Sequence, residues 1–270
     1  MHPADHDTVL SWSEHGLRPV ADEPAAALLA ADSWLVQDGA VRGYDAHWSR
    51  FAGWCGELGV AAEQLARFRG GVTAALPRAG RWFPRVELVA PAAEGADARV
   101  AAAGGALRLR LRPAPPAAHV ARVVLAPPGD PRTHPRRKGP DLELLHALRA
   151  RAVAAGADEL LLRDDDGTVL EGVFDSLLWW EDHTLCTTPA ERTLPGVTRV
   201  LLLEIARQRG VAVRVRSPMP EQIAGRETWL TNALHGIRVV VWDAASAGSA
   251  RHAARWRTDL DGTARSLDEA

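Results

Sequence analysis

The 270 residues include 47% hydrophobic side chains, enough for a sizeable core in one large domain or two modest ones. A formal charge of −2 and a pI of about 6.6 give neither the basic excess nor the basic block that general nucleic-acid or anionic-membrane binding requires. Cys55 and Cys186 lie far apart without a CxxC pattern, so neither a disulfide framework nor a metal site is expected, and the start MHPADHDTVL lacks the order of a signal peptide. No apolar run is long enough to span a bilayer, and the expected location is the cytoplasm.

Residues 1–31 show no clean period. Ser33 to Val36, the Asp38-Gly39 pair and Ala40 to Gly43 predict a short hairpin. Asp45 is the expected N-cap of a helix in which His47, Arg50, Phe51 and Trp54 fall at helical spacing before Gly56 and Gly59. A second helix is expected over 61–76, then strands over 82–90, 98–103 and 106–112, the last alternating leucine with arginine. Arg112-Pro-Ala-Pro-Pro-Ala-Ala118 excludes helix and central strand. It divides the chain into a small N-terminal α/β domain over 1–112, a linker over 113–118 and a larger C-terminal domain over 119–270.

Beyond the linker, 120–126 reads as a buried strand, 127–140 as a Pro-rich loop, and Asp141 as the cap of a helix reaching about 155. Hairpins are expected over 160–171, turning at Asp164 to Gly167, and over 176–187. A periodic helix over 196–208 is followed by strands near 211–216, 227–231 and 237–242, and a charged surface helix over 248–268 closes the chain. The fold class is α+β in two domains.

Lys138 is the only lysine; the other 31 basic side chains are arginine. A guanidinium stays protonated, whereas a lysine can become the neutral amine that attacks a carbonyl carbon, so a position kept as lysine is a candidate for imine chemistry. The alternative is that Lys138 merely closes the solvated run Arg136-Arg137-Lys138. Glu171, at the end of a strand in Val-Leu-Glu-Gly, can present a carboxylate to a cleft, where it could hold a cofactor's pyridine nitrogen protonated. Leu194-Pro-Gly-Val-Thr198 stands before a helix whose first amides and positive dipole end suit an anion, although an ordinary helix start reads the same way.

Five motifs in order resemble the class IV aminotransferases, the fold type IV pyridoxal phosphate enzymes. They are Asp45-Ala-His-Trp-Ser-Arg50-Phe, similar to the family's H-x-x-R-[LF] helix; Lys138 before an amphipathic helix; Gly167-Thr-Val-Leu-Glu171-Gly; Leu194-Pro-Gly-Val-Thr-Arg199; and Thr231-Asn-Ala-Leu-His-Gly-Ile-Arg238. The resemblance implies a small α/β domain followed by a larger strand-rich one, cofactor between them, and a homodimer completing each site. It implies that Lys138 carries pyridoxal 5'-phosphate and moves the substrate proton, and that Glu171 pairs with the pyridine nitrogen. The phosphate would be held by Arg50, the amides of Val197 and Thr198, and the loop around Asn232 and Ala233.

Three departures bear on the reaction. Ala-Leu-Leu-Ala-Ala-Asp-Ser33 replaces a common glycine-rich G-D-G-x-F-E-T stretch, Ser176 stands where an asparagine is common, and the tyrosine that branched-chain aminotransferases carry after the lysine is absent. With Asp141 in that region, the expectation is an aminodeoxychorismate lyase-type reaction yielding 4-aminobenzoate and pyruvate, a step of folate biosynthesis. Ser33 would relay a proton and Arg85 would bind the carboxylate of the small amino substrate. The rival readings are a transaminase of branched-chain or D-amino acids with a 2-oxo acid, and a relative that binds the cofactor without turnover.

Overall fold

The computed structural model describes residues 7–21, 27–90, 105–242 and 250–269. The chain packs as two compact units. The first contains the described residues up to Pro116, the short segment Arg137–Pro140 and the residues from Ala264 onward. The second contains Ala117–Arg136 and Asp141–Thr263.

In the first unit, strands β1 (Thr8–Ser13), β2 (Gly16–Pro19), β3 (Leu28–Ser33), β7 (Arg85–Val89) and β8 (Ala106–Leu111) form an antiparallel sheet in the order β2-β1-β8-β7-β3. A smaller sheet in the order β17-β5-β4-β6 joins β4 (Val36–Gln37), β5 (Ala40–Arg42), β6 (Arg81–Trp82) and β17 (Ala264–Ser266). Asp38 and Gly39 both have positive φ, which gives the β4–β5 hairpin the twist of a two-residue turn. Helices α1 (Tyr44–Glu57) and α2 (Ala62–Ala75) cover the core with Phe51, Phe68, Val72 and Cys55, all at 0% exposure, against Trp34, Val86 and Leu109.

Several expectations need correcting here. Gly43, at φ 64°, occupies the cap of α1, while Asp45 lies in its first turn and pairs with Arg69. The expected strand over 82–90 is broken into β6 and β7. The unforeseen β1–β2 hairpin and β3 fill much of 1–31, while the strand expected over 98–103 lies outside the described residues. Two segments expected in the C-terminal domain pack with the first unit, because β17 pairs with β5 and the Lys138 carbonyl accepts the Ala31 amide at 2.7 Å.

The second unit is built on an eight-stranded mixed sheet, in the order β11-β10-β9-β16-β15-β12-β13-β14. Its strands are β9 (Val120–Leu125), β10 (Glu159–Arg163), β11 (Val169–Gly172), β12 (Ser176–Glu181), β13 (Thr184–Thr187), β14 (Val213–Val215), β15 (Thr228–Asn232) and β16 (Gly236–Val241). Helix α3 (Leu142–Ala154) links the parallel pair β9 and β10, and α4 (Val197–Gln208) links the parallel pair β13 and β14. Helices α5 (Pro220–Ile223) and α6 (Ala253–Asp261) complete the unit.

The apolar run of β12 follows from burial on both faces of the sheet. Leu177 and Trp179 pack with Leu161, Val169 and Ile223, whereas Leu178 and Trp180 pack with Leu202, Ile205 and Leu260 from α4 and α6. Strand β9 is not wholly buried: Ala121 and Val123 face inward while Val120 is half exposed. The expected terminal helix shrinks to α6, since the chain leaves it at Gly262 to form β17.

Candidate active site

In the first unit, β3 and α1 assemble a buried ion network around Asp32, which is 0% exposed. His47 and Arg50, one helical turn apart, share a face of α1. Asp32 Oδ1 accepts the Ser33 amide at 2.7 Å, His47 Nδ1 at 2.8 Å and Arg50 Nη2 at 2.8 Å, while Oδ2 accepts Arg50 Nε at 2.7 Å. A carboxylate can only accept, so Nδ1 of His47 carries the proton. Burial alone would raise the Asp32 carboxyl, but Arg50 and His47 outweigh it and hold the group well below the usual carboxylate range. Burial lowers the His47 value despite Asp32, which leaves a neutral imidazole.

Lys138 is fixed against β3 through its carbonyl. Gly139, at φ 134°, makes that approach possible, since a Cβ there would stand 3.0 Å from the backbone of Ala30 and Ala31. Burial brings the Lys138 amine down to about 8; Asp32 opposes the shift, and Arg50, Arg112 and Arg85 add to it. A neutral amine is therefore accessible near physiological pH, as imine formation requires.

Ser33 and Arg85 are direct cross-strand partners on β3 and β7. Arg85 binds the buried Glu87 through Nε at 2.6 Å and Nη2 at 2.5 Å, and Arg110 approaches the same oxygen at 3.4 Å. Arg112 donates Nε to the Phe83 carbonyl at 2.8 Å and lies 5.0 Å from the Phe83 ring centroid. Lys138, Arg50, Ser33 and Arg85 thus belong to one unit. Asp32 and Gly139, which sequence reasoning missed, hold Arg50, the Ser33 amide and the Lys138 backbone in place, while Glu87 holds Arg85; an acid at the end of the apolar run Leu28 to Ala31 was the available signal for Asp32.

In the second unit, β11 carries Glu171, which is 1% exposed. Its Oε1 accepts Arg132 Nη1 at 2.6 Å and the Leu194 amide at 2.9 Å. Among the described residues nothing donates to Oε2. Burial raises the Glu171 carboxyl, and Arg132, the Leu194 amide and Arg199 offset this only in part. Arg132 also forks onto Asp130, with Nε to Oδ1 and Nη2 to Oδ2, both at 2.9 Å.

Val197 and Thr198 open α4, so their amides have no partner within the helix and stand at its positive end. Gly196 caps that helix because a Cβ would overlap Ser176 Oγ. Asn232 donates Nδ2 to Asp175 at 2.9 Å and accepts the His235 amide at 2.7 Å, which fixes the turn containing Ala233. Asp175 in turn accepts Arg238 Nη2 at 2.5 Å, and Glu159, 3.1 Å from the same nitrogen, is pushed up to about 8 by burial and by Asp175. A carboxylate oxygen with no donor among the described residues, and first-turn amides with no partner inside the helix, suit a ring nitrogen that carries a proton and a phosphate.

The fold is shared with solved aminotransferase structures. A T.th. branched-chain amino acid aminotransferase, complexed with N-(5'-phosphopyridoxyl)-L-glutamate, superposes with a TM-score of 0.79 at 17% identity, covering 99% of this chain and 100% of that one. A hypothetical aminotransferase from Mycobacterium tuberculosis in a PLP-bound form gives a TM-score of 0.79 at 19% identity, covering 96% and 98%. Residues 29–241 match the family described as Amino-transferase class IV, and the chain belongs to that family of pyridoxal phosphate enzymes.

Two sequence relatives are each named "Probable branched-chain-amino-acid aminotransferase". The one from Rickettsia felis is 36% identical over 75 residues, 28% of this chain and 26% of that protein. The one from Rickettsia bellii is 35% identical over 68 residues, 25% of this chain and 24% of that protein. The match thus spans about a quarter of each relative's length. Among the described residues no helix is long and apolar enough to cross a membrane.

Proposed function

We propose that this protein is a transaminase that moves an amino group between a branched-chain or related amino acid and a 2-oxo acid. Support comes from the family match over 29–241 and the names of the relatives. Those names favour transamination over the aminodeoxychorismate lyase reaction expected from the sequence. The observation that carries the cofactor reading is the buried Glu171 with one oxygen occupied and the other, among the described residues, without a donor.

In this reading Lys138 and Glu171 serve one pyridoxal phosphate. When bound, that group supplies an electron sink that stabilises negative charge at the substrate α-carbon. Lys138 would hold the group covalently, and its amine, lowered to about 8 by burial, would take and return the α-proton at Nζ. Glu171 accepts the proton-bearing ring nitrogen at Oε2. The amides of Val197 and Thr198 bind the phosphate, and Asn232 and Ala233 shape the turn beside it. Arg50 adds positive charge from the Asp32 network. Ser33 and Arg85, paired across β3 and β7, face the substrate, with Arg85 meeting its carboxylate. Residues 113–118 act as the linker, and the protein works as a cytoplasmic homodimer.

The test is the visible absorbance of purified protein with pyridoxal phosphate, with and without branched-chain and D-amino acids, alongside Lys138→Ala. A lysine-bound cofactor band in the parent only, converted by an amino acid to the pyridoxamine form with release of one 2-oxo acid, is the expected outcome. Pyruvate release from aminodeoxychorismate without the pyridoxamine form would reinstate the lyase, and no band in the parent would end the reading.

A further inference from the structure

We propose that Arg132 is the positioning residue for Glu171, holding one carboxylate oxygen so that the other is presented to the cofactor's ring nitrogen; this rests on the function proposed above. Among the described residues, both hydrogen bonds to the Glu171 carboxylate end on Oε1, from Arg132 Nη1 and the Leu194 amide. Two donors on one oxygen fix the plane of the carboxyl group and leave Oε2 as its open acceptor.

Arg132 is itself held in place. Asp130 receives its Nε and Nη2 as a fork, Nη2 also donates to the Arg192 carbonyl at 3.0 Å, and the Arg132 amide donates to Asp130 Oδ1 at 3.1 Å. Pro131 restricts the backbone between acid and base, so Asp130-Pro131-Arg132 forms a stiff bracket. The Asp130 and Arg132 side chains are 0% and 4% exposed. With two donors on Asp130, Nη1 remains aimed at Glu171. A lysine, with one ammonium, cannot span both carboxylates in this planar arrangement.

The bracket explains how Glu171 can serve a proton-bearing nitrogen although burial favours its neutral form. Arg132 places a permanent positive charge on the far oxygen, so the negative charge remains available at Oε2. Arg199, one turn into α4, acts in the same direction from its bond to Thr193 Oγ1 at 3.1 Å.

The experiment is ¹⁵N NMR of the holoenzyme carrying [¹⁵N]pyridoxal phosphate, for the parent, Glu171→Gln, Arg132→Met and Arg132→Lys. The parent resonance should stand at the protonated-pyridine position. Arg132→Met should move it to the unprotonated position, as Glu171→Gln does, while lysine-bound absorbance persists, and Arg132→Lys should restore it only in part. Adding Arg132→Met to Glu171→Gln should change the ring nitrogen no further. Asp130→Asn/Arg132→Met, which removes both outer charges together, serves in place of Arg132→Met if that variant does not fold. A protonated parent nitrogen that stays protonated in the Arg132 variants overturns this proposal alone. A parent that holds no cofactor overturns the function proposed above and this role with it.

Discussion

Asp32 in the first unit and Glu171 in the second are both fully buried carboxylates beside arginine, yet they are used differently. Asp32 has both oxygens occupied, by Arg50, His47 and the Ser33 amide, and its negative form is stabilised by its setting. Among the described residues Glu171 has only Oε1 occupied, and its negative form is disfavoured by its setting. A saturated buried carboxylate is an anchor, because all its interaction energy lies within the fold. A half-saturated one keeps an interaction that the fold alone does not supply, as sites for ligands do.

The largest effect should come from neutralising each acid in cofactor-free protein. Asp32→Asn should cost about 3–5 kcal/mol, because it breaks the buried ion pair with Arg50. Glu171→Gln should be neutral or stabilising at pH 7, since the folded state raises that carboxyl rather than lowering it. Urea denaturation of both variants measures the difference; losses of equal size would erase the distinction between anchor and presented acid.

That distinction was only half legible in the sequence. Glu171, the helix start at Val197 and Thr198, and Lys138 could be picked out because motif spacing and the scarcity of lysine mark them. Asp32 and Arg132 could not, because their importance lies in partners 15 to 39 positions away. The second unit's helices and hairpins were readable from period and turn residues, as at Asp164 to Gly167. The first unit's β1–β2 hairpin was not: Thr8 to Ser13 mixes hydroxyl residues with Val9, Leu10 and Trp12, and only Val9 is fully buried. Nor does the chain reveal by composition that Arg137–Pro140 packs with the first unit, since that depends on the Ala31 amide and the room left by Gly139.

Asp32 compensates the buried amine of Lys138 only in part. With Asp32 taken up by Arg50 and His47, burial and the cations near Lys138 depress its amine from 10.5 to about 8. A base whose folded value is lowered opposes folding fully below that value, and the cost disappears above the unfolded one. Lys138→Met should therefore stabilise cofactor-free protein by about 1–3 kcal/mol at pH 7, with the gain gone by about pH 11. Thermal melts across that range provide the check; a gain independent of pH would mean that packing, not charge, produces it.

The smallest effect concerns how the loop bearing Lys138 is closed. Asp141 stands at the N-cap position of α3 as expected, but its carboxylate makes no bond to that helix. It accepts the Thr133 amide at 3.1 Å, the Thr133 hydroxyl at 2.7 Å and the His134 amide at 2.7 Å. Thr133, His134 and Asp141 belong to the second unit, whereas Arg137–Pro140 between them belongs to the first. The carboxylate therefore closes the base of the excursion that carries the lysine. Partial burial raises its carboxyl, but these three donors outweigh that and hold it below 3.8. The resulting stabilisation is complete above that value and is lost as pH falls through the lower folded one. Asp141→Ala should cost about 1–2 kcal/mol at pH 7, and the difference from the parent should shrink on acidification below about pH 4. Hydrogen exchange at the His134 amide should quicken in the variant while exchange within α3 is unchanged; faster exchange along the helix instead would identify Asp141 as a helix cap rather than a loop clasp.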